Sequence, residues 1–160
     1  MRQFATIMLL LVAMAGCNKP SRVERYRAEK HTQDSTRLED QVRSLAFYES
    51  QLEALMPVAD SLLPLFNYER NEKYQDHGYY VAKGSGSLRV MVRDDGKDLL
   101  LYREGKRLTY PNPTLKGREA EMVERAEHLQ VTMADIKELE KRIQRTSLEV
   151  QKYQKRLQKN

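Results

Sequence analysis

Three histidines, one cysteine, a short acidic run and a cluster of tyrosines are the side chains in this sequence that could do chemistry. His31, His77 and His128 are far apart, and no two are spaced by one helical turn, so they make a poor metal-ligand set. Asp94-Asp95-Gly96-Lys97-Asp98 is rich in carboxylates, but it lacks the alternating oxygen ligands and distal Glu of a calcium loop. It reads as a turn. Ser85 and Ser87 lie in Gly84-Ser85-Gly86-Ser87, without the residues that build a nucleophile elbow. Glu69, Glu72 and Asp76 could supply paired carboxylates, yet their polar surroundings suit solvated loop charges. No catalytic residue, metal ligand or dissociable cofactor is assigned, and the expectation is a protein that is not an enzyme.

Tyrosine is the more distinctive residue. Six of the nine lie between positions 68 and 110: Tyr68, Tyr74, Tyr79, Tyr80, Tyr102 and Tyr110. A tyrosine offers rigid apolar area and a hydroxyl with little entropy to lose, which suits recognition of a protein or a glycan. It also favours strands and can fill a small core that has no Trp. Tyr68, Tyr74, Tyr79, Tyr80 and Tyr102 are therefore the candidate binding residues. On a strand, Tyr79 and Tyr80 must point to opposite faces.

Cys17 calls for a separate explanation, because a lone cysteine cannot close an internal disulfide. It follows Arg2 and an apolar or small-residue run at 4–15, too short to span a bilayer and patterned as a secretory signal peptide. Met14-Ala15-Gly16-Cys17 resembles the lipobox of bacterial lipoproteins, with Met where that box usually has Leu. The resemblance implies removal of residues 1–16, a diacylglycerol on the Cys17 sulfur, and an acyl chain such as palmitate on the new amino terminus. Residues 17–20 would then be the lipidated cysteine and its tether. Two or more acyl chains hold a protein stably where one is marginal. Asn18-Lys19-Pro20-Ser21-Arg22 has neither the acidic second residue of lipoproteins kept in the inner membrane nor the acidic stretch of surface-exported ones. The comparison implies a cell-envelope protein on the outer membrane, facing the periplasm.

The elements that must position these residues divide the remaining chain in three. Residues 21–63 read as a helix, with an apolar series at Leu38, Val42, Leu45, Tyr48, Leu52, Leu55, Ala59 and Leu62. Pro57 is expected to kink or restart it, and Pro64 to end it. Residues 64–112 alternate in polarity between Gly-containing turns, giving strands near 66–69, 78–83, 88–93, 98–103 and 106–110. Residues 113–160 form a long C-terminal coiled-coil helix. Met122, Leu129, Ile136, Ile143, Val150 and Leu157 recur every seventh position, interleaved with Ala126, Met133, Leu139, Thr146 and Tyr153.

The expected class is α+β: a long antiparallel helical hairpin, a coiled-coil stalk, with a small antiparallel β-meander inserted between the helices as a head. Placing Leu63 opposite Leu115 sets Leu45 near Met133 and Leu38 near Glu140. A homodimer through the C-terminal helix is the alternative use of its longer stripe.

Charged residues are 32% of the chain and the net charge is +5. An exported protein does not ordinarily meet nucleic acid, so anionic headgroups or acidic wall polymers are the better partners for that excess. Arg145, Lys152, Lys155, Arg156 and Lys159 stand against Glu149 alone and are candidate membrane-surface contacts. They equally suit the negative end of a helix dipole. The mature region is similar to uncharacterised coiled-coil lipoproteins of Bacteroidota in its Tyr68-to-Tyr80 stretch, its strands and its C-terminal heptad helix. That resemblance implies an anchored, non-catalytic structural or protein-interaction module whose partner is another envelope protein. A periplasmic glycan- or peptidoglycan-binding head is the alternative.

Overall fold

The computed structural model describes residues 20–70, 77–84 and 86–159. Residues 1–19, with Cys17 and the stretch expected to hold a signal and tether, lie outside the described residues, as do Tyr74, Glu72, Asp76 and Ser85.

The fold is α+β, in the order helix, sheet, helix. Helix α1 (Arg22–Leu62) leads through a 3-10 turn (Leu63–Leu65) into five strands, β1 (Phe66–Arg70), β2 (Gly78–Ala82), β3 (Leu88–Arg93), β4 (Leu99–Arg103) and β5 (Lys106–Leu108), followed by helix α2 (Arg118–Leu157). Each strand pairs antiparallel with the next, in the spatial order β1-β2-β3-β4-β5. This is a plain meander, and its strands fall within a residue or two of the alternating segments.

Both helices start for local reasons. At α1 the Ser21 hydroxyl accepts from the Glu24 N–H at 3.2 Å, and the Glu24 carboxylate accepts from the Ser21 N–H at 2.6 Å. This reciprocal capping box satisfies two donors that the helix cannot. At α2 the start is Arg118 rather than Pro113. Asn112 organises a turn through its side chain to Thr114, and Gly117 has φ +54, a left-handed conformation that interrupts a helix. Pro57 does not restart α1, which runs through it to Leu62 as one helix. Glu53 and Pro57 are both exposed, so water can take the carbonyl that loses its partner.

The seam of α1 differs from the expected one at a single position. Buried or half-buried residues follow Asp34, Leu38, Gln41, Leu45, Tyr48, Leu52, Leu55, Ala59 and Leu62, a strict alternation of four-residue and three-residue steps. Val42 breaks that alternation and is 46% exposed, while Gln41 turns inward. Apolarity selected the wrong neighbour; spacing selects the right one. On α2 every residue of the heptad series is buried or half-buried.

The helices pack antiparallel, but further along than end-to-end matching suggests. Arg142 lies over the Tyr48 ring at 5.8 Å, and Arg156 approaches Asp34 at 3.9 Å. Leu45 is thus about level with Arg145, not Met133, and Leu38 is about level with Lys152, not Glu140. The offset of about twelve residues is roughly 18 Å. Its cause is the sheet. The first turns of α2, with Met122, Val123, Ala126 and Leu129, are committed to the core beneath the strands. Leu88, Val90, Val92, Leu101 and Leu129 are nearly inaccessible there, each contributing about 2 kcal/mol by burial.

The β3–β4 turn comes closest. A β-carbon on Gly96 would collide with the backbone of Gln130 and Ala134 in α2, and Gly96 also has φ +71. Among the described residues, every buried apolar side chain lies between Ala59 and Val150.

Replacing Gln41 with Leu should raise stability by about 1 kcal/mol in urea denaturation, by filling the seam. Replacing Val42 with Gln should change it by less than about 0.5 kcal/mol. The opposite ranking would restore Val42 to the seam.

Candidate binding faces of the sheet

Antiparallel register sorts the strand residues onto two faces. The face toward α2 carries Phe66, Tyr68, Tyr80, Ala82, Leu88, Val90, Val92 and Leu101. The outer face carries Glu69, Tyr79, Val81, Arg89, Met91, Arg93, Leu100, Tyr102 and Arg107. The candidate tyrosines are therefore divided. Tyr68 and Tyr80 are cross-strand neighbours on the inner face, with ring centroids 5.3 Å apart. Tyr79 and Tyr102 are on the outer face.

The Tyr68–Tyr80 pair sits at the rim of the core, where Asp94 ties three segments together. The Tyr68 hydroxyl donates to Asp94 Oδ2 at 3.2 Å, and the Gly78 N–H donates to the same oxygen at 2.8 Å. His77 Nδ1 stands 3.6 Å from Asp94 Oδ1. The Asp94 N–H donates to the Gly78 carbonyl at 3.0 Å, closing the loop. Gly78 leaves room for the Tyr68 ring, which lies where a β-carbon would project and would have to swing aside for one. Desolvation, with the Asp94 carboxylate adding to it, holds the Tyr68 phenol above its ordinary value. Desolvation, then Tyr68 and Asp94, does the same to Tyr80. At neutral pH both are phenols, not phenolates, and the Tyr68 hydroxyl is the one that donates to Asp94. The Lys137 ammonium is held above its usual range, mainly by its hydrogen bond to Glu140 and further by Asp94 and Tyr80. It remains a cation.

The acidic run after β3 is a turn whose carboxylates are already engaged. Arg93 donates to both Asp95 oxygens, at 2.6 and 2.9 Å, and reaches Asp98 at 2.9 Å. Burial opposes ionisation of Asp95. The Arg93 hydrogen bonds and the Lys97 N–H outweigh it, bringing the carboxyl down to about 2.

The outer face has a different character. Val81, Met91 and Leu100 stand directly opposite one another on β2, β3 and β4, forming one apolar row across the sheet. A row of Arg89, Tyr102 and Arg107 flanks it on one side, and a row of Glu69, Tyr79 and Arg93 on the other. Arg89 on β3 pairs with Glu69 on β1, with β2 between them. In this register the link must pass over Val81. Arg89 Nε also donates to Met91 Sδ at 3.4 Å. The arginine stem thus lies along the apolar row, and Val81 is only 8% exposed although it faces outward. No described element covers this face.

Tyr79 and Tyr102 lie at opposite corners of it, four residues apart along β3 and two strands apart. That separates them by roughly 16 Å. Both are half-buried, and Tyr80 points the other way, so the three do not make a common aromatic platform. Among the C-terminal cations, Lys152, Lys155, Arg156 and Lys159 lie at the end of α2 remote from the sheet, while Arg145 sits about two turns back.

No family model, curated protein or solved structure matches the chain. The outer row and the Arg89–Glu69 strap escaped the sequence reading. Their signal was present in Val81, Met91 and Leu100, apolar residues in outward phase, but only strand register brings them into line.

Asp95 supplies a pH test. Its folded pKa is depressed, so its contribution is full above about pH 4 and is lost as pH falls through about 2. Asp95→Asn should lower stability at pH 7 by about 1 kcal/mol after solvent screening. It should also flatten the acid loss between about pH 4 and 2 in denaturant titrations. An unchanged acid limb would remove Asp95 from that role.

Proposed function

We propose that the chain is a non-catalytic cell-envelope lipoprotein, acylated at Cys17 and anchored in the outer membrane with its body in the periplasm. The helical hairpin acts as a coiled-coil stalk, and the sheet is a head that binds another envelope protein through its outer face. The observation that carries this reading is the Val81–Met91–Leu100 row, an apolar strip bordered by tyrosines and arginines on the face away from α2, with Met91 and Leu100 half-buried and Val81 sheltered beneath the Arg89 stem. Protein interfaces combine such an apolar centre with a Tyr- and Arg-rich border.

The stalk reading draws on the alternating four- and three-residue steps of the α1 seam and the matching heptads of α2. The lipid anchor draws on Met14-Ala15-Gly16-Cys17. On the outer face, Tyr79 and Tyr102 are half-buried and widely separated, which favours a protein surface over a sugar ring as the occupant of the head. The exposed large hydrophobics of α2 are Val131 and Leu148, too sparse for self-pairing along that helix.

A photo-crosslinking residue in place of Leu100 should trap one discrete heavier species in intact cells, and one in place of Gln144 on the stalk should not. Adding Met91→Glu should abolish the Leu100 product while leaving the fold intact. Cys17→Ser should end palmitate incorporation and release the protein from the membrane fraction. Crosslinks spread equally over both positions, or palmitate retained after Cys17→Ser, would sink the corresponding half of the proposal.

A further inference from the structure

The end of the hairpin remote from the sheet has a composition of its own. Helix α2 ends at Leu157, about level with Asp34, so roughly the first three turns of α1 extend past it. No described helix lies against this overhang. Val23 and Tyr26, one turn apart on its surface, are 59% and 65% exposed. Arg27 and Lys30 share their side of the helix, with Arg22 and Arg25 beside them.

Charge is concentrated at the same end. Residues 20–38 and 152–159, which lie at matching levels of the hairpin, hold nine Lys and Arg against three acidic residues. Their net charge of +6 exceeds the +5 of the whole chain, so the remainder is slightly acidic. One of the three acids, Asp34, is 3% exposed and turned into the seam, where it approaches Arg156. Glu24 is engaged in the capping box. The cations face outward while most of the local negative charge is occupied.

We propose that this end is a docking surface for an anionic lipid bilayer. The α1 overhang supplies four cations and the apolar pair Val23 and Tyr26; the last turns of α2 supply Lys155 and Lys159, while Lys152 beside them is engaged by Glu149 at 3.0 Å. Charge complementarity selects the occupant. Each cation close to anionic headgroups strengthens attachment by about fivefold. A valine and a tyrosine set among long cationic side chains suit the boundary between headgroup and acyl chain, where Tyr places its ring in the apolar layer and its hydroxyl in the wet one. A wholly polar polyanion would leave that pair unused. The idea rests on the lipoprotein reading only for bringing this end to a membrane: the overhang begins five residues after Cys17.

The test uses a soluble chain beginning at Pro20, which keeps every described element and carries no lipid. It is sedimented with vesicles of equimolar phosphatidylcholine and phosphatidylglycerol, and with vesicles of phosphatidylcholine alone. Binding is expected to the anionic vesicles, weakening steeply as salt shortens the screening length. Neutralising the overhang together (Arg22→Gln, Arg25→Gln, Arg27→Gln, Lys30→Gln) should weaken it by roughly six hundredfold. Helicity by circular dichroism should hold, because these side chains are exposed and Gln is a good helix former. A matched control elsewhere (Lys106→Gln, Lys116→Gln, Arg125→Gln, Lys141→Gln) should bind nearly as the parent does. Equal losses in the two variants would reduce the effect to net charge and overturn the proposal. Equal binding to neutral vesicles, or tighter binding to single-stranded DNA than to anionic vesicles at the same salt, would also overturn it. Acylation of Cys17 in cells is scored separately, so the lipoprotein reading and this one can fail independently.

Discussion

The structure depends on one helix serving two partners. The first half of α2 presents Met122, Val123, Ala126, Leu129 and Met133 to a core shared with the strands and with the end of α1. A five-stranded meander this small has no second sheet to bury its apolar face. Two helices joined only by their own seam would be a thin rod. Sharing α2 solves both problems. The turn carrying Gly96 is pressed against the helix backbone with no room for a side chain, which fixes how the sheet sits along the helix axis.

That arrangement also divides the legible from the illegible. The strands could be read closely because alternation and Gly-containing turns are local signals, each confined to a few residues. The α2 series was legible for a different reason: its repeat persists over many turns. The helix offset was not. Matching chain ends assumes that the first helical turns pair with each other, and only the assembled core shows that the sheet has claimed the start of α2. The exchange of Val42 for Gln41 is a smaller lesson of the same kind. A polar residue in phase goes inward because the helix cannot rotate one position without displacing Leu38 and Leu45.

The tyrosine cluster was visible in composition and unreadable in role. Adjacent tyrosines on β2 point to opposite faces, so a run that looked like one site is two environments. One is a hydrogen-bonded rim organised by Asp94; the other is an outward surface crossed by an apolar row. The Arg89–Glu69 strap shows how the second is kept soluble. A long cationic side chain laid over Val81 and Met91 shelters apolar area without removing it, and a partner offering its own carboxylate could take the arginine from Glu69.

The composition of the α1 seam has a mechanical consequence. Near the sheet it is Leu52, Leu55, Ala59 and Leu62; toward the free end Gln41 and then Asp34 interrupt the apolar series of Tyr48, Leu45 and Leu38, and the Asp34 Oδ2 is buried with no hydrogen-bond partner among the described residues. Apolar layers hold a hairpin shut and an unsatisfied buried oxygen works against it. Cohesion along the rod is therefore graded. Amide exchange should be slowest beneath the strands and quicken steadily outward, and thermal opening should begin at the tip and travel inward. The end of the hairpin remote from the sheet is therefore the part held least firmly, while the core beneath the strands is held most firmly.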